Sequence, residues 1–71
     1  MGFSKEDFQV LCRTRSILRT AQFHEKVNEA TDQTGFTLHH NYNAMLDNTL
    51  TSIDKLVWFL KATDGWPESD V

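Results

Sequence analysis

Few side chains in this 71-residue chain have types that do chemistry, and their spacing decides what each can do. His39 and His40 are adjacent, and His24 stands apart from them. Ligation of a metal from one helix needs donors three or four residues apart, as in His-x-x-x-His or Glu-x-x-His, and the chain holds neither pattern. Neighbours on a helix point about 100° apart and do not readily share an ion. Tyr42, His39 and Asp47 have the group types of acid–base catalysis, but a small helical protein offers them no walled pocket for a substrate. Arg13, Arg15 and Arg19, in "CRTRSILR", have no acid among them. Arg15 and Arg19 lie one turn apart and can grip a carboxylate or phosphate together, while Arg13 points elsewhere. Two readings follow: these arginines meet an external anion, nucleic-acid phosphate included, or they pair with acids of the same chain. Residues 36–71 carry two basic and five acidic side chains, against five and five in residues 1–35. That balance opposes general nucleic-acid affinity, which needs clustered Lys and Arg to displace counterions. A helix-turn-helix centred on Gly35 fails similarly, because its recognition helix "LHHNYNAMLDNTLTSID" has no Lys or Arg. No enzyme activity, metal or cofactor is expected.

Whatever positions these residues must do so within one small domain. A chain of this length buries only about 60% of the surface it exposes when unfolded, and such domains lean on disulfides, metals or association. Cys12 is the only cysteine, so no internal disulfide forms. A lone thiol fits a reducing, cytoplasmic setting. No apolar run approaches the ~20 residues of a membrane span, and "MGFSKEDF" has the layout of neither a signal peptide nor a myristoylation signal.

The spacing predicts two helices. Ser4 has the position of an N-cap, with Asp7 as a short capping-box partner and Phe3 and Phe8 spaced for a hydrophobic staple. The first helix is expected over about residues 4–32. Phe8, Val10, Leu11, Ile17, Leu18 and Ala21 make one broad apolar face, and Phe23, Val27 and Ala30 lie roughly 150° around from it. Because no breaker occurs near Thr20–Gln22, a continuous helix serving two neighbours is preferred to a broken one. "TDQTGF" reads as the turn, about residues 33–37, with Gly35 free to adopt positive φ. A second helix is expected over about 38–64, with Leu38, Tyr42, Met45, Leu46, Leu50, Ile53, Leu56, Val57 and Leu60 as its inward stripe. Gly65 is placed for a left-handed stop, with Trp66 able to fold back on Leu60, and Pro67 bars continuation. Residues 65–71 form a tail. The expected architecture is all-α: an antiparallel hairpin, which dimerises into a four-helix bundle because one seam leaves helix 1 with an uncovered sector.

Leu56-Val57-Trp58-Phe59-Leu60 is more apolar than one seam needs. Trp58 falls opposite the inward stripe and Phe59 on its flank. Either Phe59 packs across a dimer seam and the Trp66–Pro67 tail covers Trp58, or an aromatic patch stays outside, where such patches mark binding sites. The expected partner-binding residues are Trp58, Phe59, Trp66, Asp54 and Asp47, with the acids favouring a basic partner surface. Arg13, Arg15 and Arg19 are the alternative, an anion-binding set. By size and architecture the chain reads as a regulator or inhibitor that docks on another protein, as phage and bacterial accessory proteins do. The closing "ESDV" resembles the C-terminal peptide motif bound by PDZ domains, in its terminal Val and its Ser two places earlier. That resemblance implies strand addition to such a domain.

Overall fold

Ser4 starts the first helix as its spacing to Asp7 requires. Its hydroxyl accepts from the Asp7 amide at 3.1 Å, and the Asp7 carboxylate accepts from the Ser4 amide at 3.0 Å, a complete capping box. The computed structural model describes residues 2–68, so Ser69, Asp70 and Val71 of "ESDV" lie outside the described residues. Helix α1 spans Lys5–Thr31 and passes Thr20–Gln22 without a break; α2 spans Phe36–Asp64 and packs antiparallel on α1. The protein is an all-α hairpin, 46 × 20 × 16 Å. A thickness of 16 Å is little more than one helix with its side chains, so the fold is a single layer.

The turn differs from expectation. Gly35 has φ −96°, not a positive value, and α2 begins directly after it. A side chain here would crowd its neighbours: a Cβ would lie 2.6 Å from Asp32 Oδ2 and 3.1 Å from His39 Nε2, so those two side chains would have to shift. The Gly35 amide donates to Asp32 Oδ1 at 3.1 Å, and the Gly35 carbonyl accepts the His39 amide at 3.0 Å. With the backbone held this way, α2 starts two residues before Leu38. Gly65 does take the left-handed conformation, φ 71°, and its amide closes α2 on the Lys61 carbonyl.

Phe8, Cys12, Val57 and Leu60 form the core, with Leu11, Ile53, Leu56 and Trp66 against it. All lie at the open end of the hairpin, away from the turn. Trp66 folds back onto Phe8, ring centroids 5.6 Å apart, and with Phe8 fully buried and Phe3 exposed, Phe8 takes its cover from the far end of the chain.

Towards the turn the inward stripe is not the apolar one. On α2 the positions facing α1 are 39, 43, 46, 50, 53, 57 and 60, spaced alternately four and three: His39, Asn43, Leu46, Leu50, Ile53, Val57 and Leu60. Leu38, Tyr42 and Met45, expected in the core, are exposed, as are Val10, Ile17, Phe23 and Val27 on α1. A regular seam keeps one phase along its length. The strong apolar residues at the open end set that phase, and it turns His39 and Asn43 inward.

Candidate protein-binding surface

Trp58 stands 66% exposed and Phe59 61% exposed on the outside of α2, packed edge-to-face with centroids 5.7 Å apart and planes at 90°. Their position follows from the seam: Val57 and Leu60 point inward, so the two residues between them must turn out. With Asp54 and Lys55 they wall an open apolar depression of about 360 Å³. Among the described residues, Trp66 and Pro67 do not cover Trp58. Trp66 is engaged with Phe8 and the core, which separates it from the exposed pair.

Beside this patch lies an ion cluster between the helices. Arg15 is buried at 6% exposure, with Nη1 donating to Asp54 Oδ1 at 3.3 Å and Nη2 to Glu68. Arg19 Nη2 reaches the same Asp54 oxygen at 3.3 Å. Lys61 Nζ donates to the other Glu68 oxygen at 3.0 Å. Bonds from Arg15 and then Lys61 hold the Glu68 carboxyl below its ordinary value. Thus Arg15 and Arg19 are joined by Asp54, while Arg13 stands apart and exposed. Asp47 accepts from Gln22 across the seam. Asp54 and Asp47, placed beside the aromatic patch by the sequence, are both tied to α1.

A second polar group, which sequence reasoning missed, closes the turn end. His39 sits between two carboxylates, Nδ1 2.7 Å from Glu25 Oε2 and Nε2 3.2 Å from Asp32 Oδ2. Only the doubly protonated ring donates to both. The bond to Glu25, then that to Asp32, raise the His39 pKa above its ordinary value. The Glu25 carboxyl is lowered by Asn28 and then His39, and that of Asp32 by the Gly35 amide and then His39. Asn43, buried at 6% exposure, donates to Glu29 Oε2 at 2.6 Å, and His40 Nδ1 lies 2.9 Å from Glu29 Oε1. These bonds, from His40 first, lower the Glu29 carboxyl. The signal available in sequence was register: continuing the Leu46–Leu60 spacing backwards lands on Asn43 and His39.

Among the described residues no group of His, Cys, Asp and Glu is arranged to hold a metal ion, and no helix is long and apolar enough to cross a membrane. No protein-family model, curated protein or solved structure matches the chain.

Proposed function

We propose that the protein is a small helical regulator or inhibitor that acts by docking on another protein, with no chemistry of its own. The observation that carries this reading is Trp58, held outward beside the core, edge-to-face on Phe59, and left open to solvent. Tryptophan is the side chain most enriched among interface hot spots, and rigid aromatic anchors lose little entropy on binding. Trp66 supports the site from behind through Phe8 and the core, and Lys55 with Asp54 forms its polar rim. Asp47 and Asp54 would favour a basic partner surface, although Arg15 and Arg19 already offset part of that charge. Small accessory regulators of phages and bacteria, working in the cytoplasm, are the class this architecture suits.

The alternative, a nucleic-acid regulator using Arg13, Arg15 and Arg19, has less support, because Arg15 is buried and paired inside the chain. Phosphate contacts need charged heads free to leave their present partners.

The working form in this reading is a homodimeric four-helix bundle. A single 16 Å layer leaves Val10, Ile17, Tyr42 and Met45 in water, whereas stable domains pack two layers around one core.

Trp58→Ala tests the docking role. Capture from the native host identifies the bound protein with the wild-type chain as bait, and the variant is then compared. The expected loss is at least about thirtyfold in affinity, equivalent to roughly 2 kcal/mol, with the circular dichroism melt unchanged. Retained binding, or a collapse of the fold, refutes the role given to Trp58.

A further inference from the structure

Four of the six exposed large apolar side chains of α2, Leu38, Tyr42, Met45 and Phe59, share one stripe, while Phe36 and Trp58 lie off it. Positions 38, 42, 45, 49, 52, 56, 59 and 63 repeat the four–three alternation of the inward seam, one residue earlier at each step. They read Leu, Tyr, Met, Thr, Ser, Leu, Phe and Thr, with no charge, and only Leu56 among them is already partly buried against the core. The opposite flank of the same helix carries Asp47, Asp54 and Lys61. A helix with two such spacings, the second free of charge, has two packing seams, and only the first is filled by α1.

Resting on the dimer reading above, we infer that this second seam is the contact between two copies of the chain, with α2 packed antiparallel on α2 about a two-fold axis near Thr49. The stripe is self-complementary in that direction. Pairing about Thr49 sets Leu38 against Phe59 of the second copy, Tyr42 against Leu56, and Met45 against Ser52. Large residues meet at the ends and small ones at the centre, as an isologous contact between two crossing helices requires. The cross-helix bonds Arg15–Asp54 and Gln22–Asp47 place Thr20 of α1, with Ala21 beside it, at about the level of Thr49, so both helices carry small residues near the axis. There the surface dips into a groove of about 400 Å³ between the helices, lined by Leu18, Tyr42, Met45, Leu46 and Thr49, with Glu25, already bonded to His39, at its turn-side edge. It lies where Ser52 and Leu56 of the second copy would seat.

The area suffices. Ile17, Leu38, Tyr42, Met45 and Phe59 are each roughly half exposed. At on the order of 100 Å² apiece they cover much of the ~800 Å² per partner of a standard interface, before flanking residues are counted. In this arrangement Phe59 belongs to the seam, and Trp58, on the charged flank, remains free for another protein.

A disulfide trap tests the geometry. Cys12 is fully buried and stays in place. Thr49→Cys, next to the axis, should cross-link to its own copy under mild oxidation, since two such residues come within bonding range only there. Thr51→Cys, on the other flank, should not. Sedimentation equilibrium of the unmodified chain should give twice its 8.2 kDa mass, and Met45→Lys should return a folded monomer. A dimer that cross-links through Thr51→Cys, or not through Thr49→Cys, overturns this interface while leaving the dimer reading intact. A folded monomer in the unmodified chain overturns both.

Discussion

The two ends of the hairpin are built from opposite materials in one seam. At the open end Phe8, Cys12, Val57 and Leu60 exclude water, and Trp66 closes over Phe8. At the turn end the same register holds His39 and Asn43, facing Glu25 and Glu29. Hydrophobic burial is non-directional and grows with area. Hydrogen-bonded polar pairs contribute about 1 kcal/mol each, and cost more than that when one member is left unpaired. The open end therefore supplies most of the stability, and the turn end supplies direction: its bonds form only when α2 is neither slipped nor rotated against α1. The sequence orders them to match, with bulk at the open end and specificity where the chain reverses.

The largest break in this comparison is Phe8→Ala. Truncating a buried Phe costs about 3–5 kcal/mol, which rivals the lower end of a small domain's whole stability of roughly 5 kcal/mol. Denaturant unfolding should find the variant largely unfolded at 25 °C. A loss below about 1 kcal/mol would mean that the open end is not the main source of stability.

A smaller change has the opposite sign. Asn43 is buried with its Oδ1 unpartnered, so its amide is only half satisfied. Asn43→Leu should raise stability by about 1 kcal/mol, as apolar area replaces an imperfectly paired amide. The register should loosen at the same time, because a single buried polar residue fixes alignment at a cost in stability. The expected readout is a higher melting temperature together with broadened turn-end NMR resonances. A lower melting temperature would show that the Asn43–Glu29 bond stabilises more than the orphaned carbonyl costs.

Much of this plan is legible in the residues themselves. The Ser4–Asp7 box, the unbroken α1 and the Gly65 stop follow from local chemistry that tertiary packing has no reason to override. The phase of the seam near the turn is less accessible. Leu38, Tyr42 and Met45 are more apolar than His39 and Asn43, so a face chosen by hydrophobicity alone points the wrong way. Strict four–three spacing carried back from Leu60 is the better guide. Gly35 shows a different limit: its reason is the approach of Asp32 and His39, which no local rule contains. The Trp58–Phe59 patch is legible as surplus, because one seam uses only Leu56, Val57 and Leu60 of the five apolar residues. The destination of Trp66 depends on Phe8, nearly the whole chain away, and only the fold reveals it.

The smallest expected effect is also the most local, and it separates the two ends by pH. His39 donates to Glu25 and Asp32 only when protonated, and its pKa is raised by those bonds. Its contribution is complete below the ordinary imidazole value and fades as pH climbs through the raised folded value. Glu25, Glu29 and Asp32 are lowered, so theirs is complete above the ordinary carboxylate range and is lost as pH falls through the lowered values. The turn end should thus be tightest between roughly pH 5 and 6.5 and loosen on either side. At the open end Phe8, Val57 and Leu60 do not titrate, and the lowered Glu68 carboxyl adds a dependence on the acid side only. Amide exchange, corrected for intrinsic rates, should show protection of residues 36–43 declining from pH 6 to pH 9 while that of residues 53–60 changes less. His39→Gln should remove the decline on the alkaline side and leave the acid side in place. Equal decline at both ends would show that the hairpin opens as one unit and that its polar end has no separate equilibrium.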